Sequence, residues 1–539
     1  MEVEGKIVDV LNEVIYPGKI KIEDKKIKQI ERKDDVKNQY ILPGFVDSHI
    51  HIESTMLPPS EFARVAVQHG TVATVSDPHE IANVLGIEGI EYMIKDSKKV
   101  PLKFYFGVPS CVPSTSFDTS GAKIGPKKID ELFSNYDCSY LGEVMNYPAV
   151  INEEKEMMEK LETAKRYTDA LDGHAPGLSG KDLEKYISAG ITTDHESITL
   201  EECMEKINRG MKIQIREGSL SKKLDEFYPL LEKYPDKCMF CSDDRHPDDL
   251  EEGHINSTVK KALEHDIPMM DTLKAASVIP VKHYDLDLGL LQKGDKADFI
   301  VVDDIENLEI KDVFIDGKNV YDGDELKFSR AESDIINNFE TKKKEKDDFR
   351  IKPQDKEINV ISIDDKELIT KRETAAPKVK DGNVVSDLDR DVLKLSVINR
   401  YSNQNPSLGF AKGFGIKEGA LATSISHDSH NVIGVGTTDV DLCKAVNKII
   451  ENKGGMCVIT DEEEKCLPLP IAGLMSDNDY TKVSEDYKSI KELSKRTGSE
   501  LRSPFMTLSF LSLLVIPEIK ISDKGLFDVN KLEFIDLFE

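Results

Sequence analysis

The sequence predicts an α/β protein with three parts: a (β/α)8 TIM-type barrel, a small composite β-sandwich domain built from both flanks of that barrel, and an additional C-terminal α/β domain. Three observations predict it. Between residues 41 and 275, eight short apolar or β-branched runs alternate with amphipathic helical stretches. Strand-like pieces too small to fold alone stand on both sides of that region, at 1–40 and 280–330. A charged stretch over 331–360 then precedes a further α/β segment, 361–539.

Residues 1–40 alternate polar and apolar positions in "GKIVDVLN" and "GKIKIEDKKIKQIERK", with turn signals between them. The same rhythm returns in "LGLLQKGDKADFIVVDDIENLEIKDVFIDGKNVYDG", Leu288 to Gly323, so one β-domain is expected to draw strands from both ends. The barrel, 41–279, begins with "ILPGFVDSHIH" and continues through "GTVATVSD", "LKFYFGVPS", "YLGEVMN", "ALDGHAPG", "GITTDHES", "MKIQIREGS" and "CMFCSDD". Helical stretches such as "NEEKEMMEKLETAKRYT" and "DLEKYISAG" lie between them. An open doubly wound sheet has the same periodicity. The count of eight, with polar residues gathered at the strand C-terminal ends, favours the barrel. Within 331–360, "TKKKEKDDFR" (Thr341 to Arg350) mixes bases and acids and reads as a solvated linker.

Bulk composition narrows the function. The 539 residues carry 72 basic and 100 acidic side chains, a formal net charge of −28, which repels phosphate backbones and argues against a nucleic-acid partner. Hydrophobic residues make up 39%, enough for packed cores, yet no run reaches the roughly 20 apolar residues of a membrane span. The opening segment has acids where a signal peptide has bases, so the expected compartment is the cytoplasm. Eight scattered cysteines do not suggest a disulfide framework.

The chemistry begins in "PGFVDSHIHIES". Alternate side chains of a strand face the same way, so His49 and His51 point together, and two adjacent imidazoles are a metal chelate. Other strand ends carry ligand-type residues at the equivalent position: Glu143 in "LGEVMN", His174 in "GHAPG", His195 in "TTDHES" and Asp243 in "CSDD". Any one alone would be read as a packing or capping residue. Four of them beside a His-x-His pair point to a metal centre.

The order His-x-His, acid, His, His, Asp on strands 1, 4, 5, 6 and 8 resembles the amidohydrolase superfamily. Within it, "VSDPHEIANVLG", "GEVMN", "DGHAPGLSG", "TTDHES" and "FCSDDRHP" resemble the adenine deaminases, including their extra C-terminal domain. The resemblance covers nearly the whole chain. It implies two divalent cations, manganese or iron(II) ahead of zinc, which activate water for attack on C6 of adenine to give hypoxanthine and ammonia, as in purine salvage. His49, His51 and Asp243 would hold one cation, His174 and His195 the other, and Glu143 would bridge them. Asp244 follows Asp243 directly; Asp243 matches the superfamily position. Asp243 would accept the proton of water and pass it to the departing ammonia. Glu196 would protonate the ring or order a loop. Glu53, His79, Arg216 and Ser219 would contact the purine, although His79 could equally cap a helix and "IREGS" could be a surface charge cluster. A homo-oligomer, dimer or tetramer, is expected on the same grounds.

The C-terminal "SHDSHN" (His427, Asp428, His430, Asn431) reads first as a structural turn, with a second metal-like cluster or a lid as alternatives. Three rival functions remain in view. A cytidine-deaminase zinc site is mimicked by "HIE" and "CMFC", but Lys237 stands where that motif has proline, so Cys238 and Cys241 read as buried strand residues. Another amidohydrolase acting on a related aminopurine or cyclic amide would have the same ligands. A non-catalytic barrel scaffold is opposed by the six filled ligand positions.

Overall fold

A computed structural model describes residues 1–364 and 367–539. The chain divides into two compact units: residues 1–79, 90–111 and 124–333 form the first, and residues 80–89, 112–123 and 334–539 form the second.

In the first unit the eight expected runs are eight parallel strands. Five of them, Phe45–Ile50, Thr71–Ser76, Lys103–Val108, Cys138–Val144 and Leu171–Gly173, pair in chain order. Thr193–Asp194, Lys212–Arg216 and Cys238–Cys241 follow in a second set, also in order. The N–H of Thr192 donates to the Leu171 carbonyl at 2.8 Å, joining the fifth strand to the sixth. Ile50 and Asp243 bridge in parallel, bringing the eighth strand's end to the first strand. All six residues of Phe45–Ile50 and of Thr71–Ser76 are buried, as expected of strands covered on both faces. Cys238 and Cys241 are fully buried on the last of these strands, as expected of buried strand residues.

Helices connect the strands. Leu200–Asn208 is representative: the Thr199 hydroxyl accepts the Glu202 N–H at its start, and Cys203, Lys206 and Ile207 lie on its buried face.

The flanking strands form a single mixed sheet of seven, drawn from both ends of the barrel segment. Its order is Lys318–Tyr321, Ile310–Ile315, Phe299–Val302, Tyr40–Pro43, Glu2–Asp9, Val14–Glu23 and Lys26–Arg32. Ile7, Ile20, Ile22, Ile27, Phe299, Val301 and Phe314 supply its core, so residues from both flanks share one apolar cluster.

The second unit centres on an eight-stranded sheet from Ile358 to Pro468, covered by the helix Asp439–Glu451, which buries Leu442, Ala445, Val446 and Ile449. Thr341 to Arg350 is not the solvated linker its charges suggest. Phe349 is fully buried in that core, and Lys344 is buried with its Nζ on Asn403 Oδ1 (2.9 Å) and the Gln404 carbonyl (2.7 Å). One aromatic side chain outweighs the surrounding charges, because lysine can follow it in on its methylenes. Cys457 and Cys466, opposite each other on adjacent strands, are disulfide-bonded; the other six cysteines are free. Among the described residues no helix is long and apolar enough to cross a membrane.

Phe349→Ala should destabilise the second unit by about 3–5 kcal/mol, the range for truncating a buried aromatic. Denaturant unfolding of the full chain measures this, and a change below about 0.5 kcal/mol, usual for surface substitutions, would return the segment to a solvated linker.

Candidate metal centre

The end of the first strand presents His49 and His51 on one side, their Nε2 atoms 3.3 Å apart. The eighth strand is stitched to this end by its backbone: the Asp243 N–H donates to the His49 carbonyl (2.9 Å), and the His51 N–H donates to the Asp243 carbonyl (3.3 Å). Asp243 sits at φ +53°, a left-handed conformation that aspartate tolerates better than most residues. Its Oδ1 thereby stands 3.5 Å from His49 Nε2 and 3.2 Å from His51 Nε2. Asp244 accepts from the Ser54 hydroxyl at 2.5 Å, although it too lies within reach of His51 and Asp243.

From the fourth strand, Glu143 spreads its two oxygens over different imidazoles. Oε1 is 3.3 Å from His51 Nε2, while Oε2 is 2.7 Å from His174 Nδ1 and 3.1 Å from His195 Nε2. The rings of His49 and His195 stack with centroids 4.1 Å apart. All six predicted ligands therefore converge, in trios whose donor atoms lie within 4.8 Å of one another: His49 with His195 and Asp243, His49 with His51 and Glu143, Glu143 with His174 and His195.

Charge explains why these residues belong together. Burial raises the Glu143 and Asp243 carboxyls, but His174, His195 and His51 around the first, and Arg216, His49 and His51 around the second, hold both well below the usual carboxylate range. Burial also works against a proton on His49, yet Asp172 and Asp243 push it up to about 10; Glu143 and Glu196 likewise carry His174 to about 9. The cluster thus attracts positive charge from either protons or cations. Imidazole and carboxylate donors without thiolate suit first-row divalent ions. His51 is oriented to serve as such a donor. Its Nδ1 faces the Asp77 carbonyl at 3.0 Å, and a carbonyl only accepts, so Nδ1 carries the proton and the Nε2 lone pair points into the cluster. The residues fit a pair of cations sharing Glu143.

The residues expected to contact substrate divide into two groups. His79 stands at the centre, Nδ1 3.5 Å from Glu143 Oε1 and its ring edge-on to His51 at 4.5 Å. Glu53 is buried on the turn Ile52–Thr55 that follows His51. Arg216 faces two acids: Nη1 donates to Asp243 Oδ2 (2.5 Å) and to Glu196 Oε1, and Nη2 to Glu196 Oε2 (3.0 Å). Ser219 orders the neighbouring loop, its hydroxyl accepting the His246 N–H at 2.8 Å and its own N–H donating to the Asp244 carbonyl at 2.8 Å.

Two supporting groups escaped sequence reasoning. Asp172, fully buried, lies 3.7 Å from His49 Nδ1 and accepts from Tyr284 OH (2.8 Å) and Thr193 Oγ1 (2.8 Å). Its position two residues before His174, which directly follows the strand Leu171–Gly173, was the available signal, since alternate residues of an extended segment point the same way. Asp194, next to His195, accepts from Lys206 Nζ (2.9 Å) and Ser197 Oγ (2.6 Å); Lys206 also reaches Glu202 at 2.6 Å and the Ala175 carbonyl at 2.7 Å. Within the second unit, Glu80 Oε1 is 2.9 Å from His427 Nδ1 and Oε2 contacts His430 Nε2, so "SHDSHN" closes on a buried acid.

The amidohydrolase family model matches residues 40–320, and the adenine deaminase C-terminal domain model matches 367–533. The chain is 49% identical over 544 residues to the adenine deaminase of Methanosarcina barkeri, 50% over 537 to that of a Sulfurovum species, and 48% over 538 to that of Salinibacter ruber. Each alignment covers 99% of this chain and 98–99% of the relative.

Lys206→Met should cost about 3–5 kcal/mol in urea unfolding, because it leaves Asp194 and Glu202 buried without their cation. A loss under about 1 kcal/mol would contradict this account of what supports the fifth and sixth strand ends.

Proposed function

The chain belongs to the adenine deaminases of the amidohydrolase family, and from that premise we propose how its residues convert adenine and water to hypoxanthine and ammonia. The observation that carries the reading is the division of the Glu143 oxygens between His51 on one side and His174 and His195 on the other. His49, His51 and Asp243 would hold one divalent cation and His174 and His195 the other, with Glu143 shared. Manganese or iron(II) suits these donors, and zinc is compatible with them. When bound, such a pair lowers the pKa of water towards neutrality and stabilises negative charge developing on the reacting carbon's substituents.

The remaining work falls to the protein. Water adds its oxygen to C6, the C6–N bond to the exocyclic amino group breaks, and two protons must be moved. Asp243 takes the proton released by water and hands it to the amino group, which leaves as ammonia while C6 becomes a carbonyl. Arg216 on Oδ2 leaves the other oxygen of Asp243 turned towards the imidazoles. A ring nitrogen also needs a proton, and the second proton of water, released as the C6 hydroxyl becomes a carbonyl, restores the donor that gives it. Both Glu196 oxygens already accept from Arg216, which favours His79 as that donor, with Glu196 accepting from the purine's N–H edge. In this scheme Arg216 positions two acids instead of contacting the base directly. Glu53 completes the substrate side.

The nearest rival is an amidohydrolase acting on another aminopurine, whose metal ligands would be the same. Ammonia release measured on adenine, adenosine, guanine and cytosine, with manganese restored after chelation, separates the two. Release from adenine alone is expected, with Asp243→Asn lowering kcat by roughly 10²–10⁴-fold, the contribution of a positioned acid–base group. No release from adenine, or an undiminished Asp243→Asn enzyme, would overturn the assignment.

A further inference from the structure

We infer that Asp77 is the positioning residue of the metal centre, setting His51, a ligand of one cation, and the shared carboxylate of Glu143 from one point. This rests on the reading of Glu143 as the shared ligand. Asp77 follows directly on the second strand, and its N–H donates to the Ile50 carbonyl at 3.1 Å, tying it to the end of the first. Its own carbonyl accepts from His51 Nδ1 at 3.0 Å, which fixes that ring's tautomer and aims Nε2 inward. Its side-chain Oδ2 accepts the Glu143 N–H at 2.8 Å, which fixes the backbone from which the shared carboxylate projects. The Glu143 carbonyl is held in turn by Ser110 Oγ at 2.6 Å.

The fit between the second and fourth strands is close enough to identify its other half. A Cβ added to Gly142 would lie 2.4 Å from Asp77 Oδ2 and 2.7 Å from its Cγ, so Gly142 is what admits the carboxylate to the Glu143 amide. Asp77 is 1% exposed, and its second oxygen, Oδ1, makes no hydrogen bond and lies 3.7 Å from His79 Nδ1. Oδ2 therefore carries the contact to Glu143. An amide oxygen can accept from the same N–H, so this role requires an acceptor of the right shape and not a negative charge.

Four variants test the inference: Asp77→Ala, Asp77→Asn, Gly142→Ala and the double Asp77→Ala/Gly142→Ala. The measurement is manganese affinity by chelator competition and equivalents bound per full-length chain, alongside thermal melting and the separate kcat and KM for adenine. Wild type is expected to bind two equivalents. Asp77→Ala and Gly142→Ala should each weaken manganese binding about 10–100-fold, the effect usual for a group that orients a ligand. kcat should fall at subsaturating metal with little change in KM. Asp77→Asn should stay within about threefold of wild type, because its amide oxygen replaces Oδ2. Gly142→Ala should add little once Asp77 is alanine, since the two changes break one contact.

Wild-type affinity in Asp77→Ala, with two equivalents bound by the parent, would overturn the inference while leaving the metal centre intact. A loss in Asp77→Asn equal to that in Asp77→Ala would also overturn it, because it would make Asp77 a direct ligand. A parent chain that binds no manganese would overturn both readings. Should Asp77→Ala fail to fold, Gly142→Ala and Asp77→Asn decide the matter.

Discussion

The centre depends on one carboxylate. Glu143 is buried at the end of the fourth strand, where an ionised acid without partners would cost several kcal/mol. Imidazoles from the ends of the first, fifth and sixth strands surround it; those of His51 and His195 are buried, and that of His174 is a quarter exposed. Such a cluster is tolerated only if positive charge enters it, and divalent cations bring more of that charge per site than protons do. Asp243 repeats the arrangement on the far side, between two imidazoles and Arg216. The chemistry proposed for the chain follows from this need for compensation: the groups that attract cations also hold a carboxylate close to where water would react.

What surrounds the candidate ligands serves to keep them from moving. Backbone hydrogen bonds between His49, His51 and Asp243 make the first and eighth strands a single support. Lys206 gathers Asp194, Glu202 and Ser197 behind His195, and Tyr284 with Thr193 gathers Asp172 behind His49. A barrel suits this division, since its interior layers carry buried polar braces while the strand ends carry the reacting groups. Substituting a brace removes no ligand and yet disturbs the position of one, which is why its effects belong in metal affinity and stability as well as in turnover.

The convergence of six candidate ligands and the eight strands could be read from the sequence because they follow local rules. Strand alternation places His49 beside His51, and polar residues at strand C-terminal ends mark Glu143, His174, His195 and Asp243. What could not be read depends on contacts distant in the chain. Arg216 presented itself as a purine ligand, and nothing nearby announced that its guanidinium is taken by Glu196, twenty residues earlier, and Asp243, twenty-seven later. Asp77 works partly through its backbone carbonyl, which carries no sequence signature. Thr341 to Arg350 misled for the opposite reason: its composition is that of an exposed linker, whereas Phe349 alone commits it to a core. The assignment of residues 80–89 and 112–123 to the second unit is likewise beyond any local pattern.

Anomalous diffraction from crystals of the manganese-loaded chain tests the central claim most directly. Two manganese peaks are expected, one beside His49, His51 and Asp243 and the other beside His174 and His195, with a Glu143 oxygen in contact with each. A single peak, or two peaks that do not share Glu143, would contradict the account.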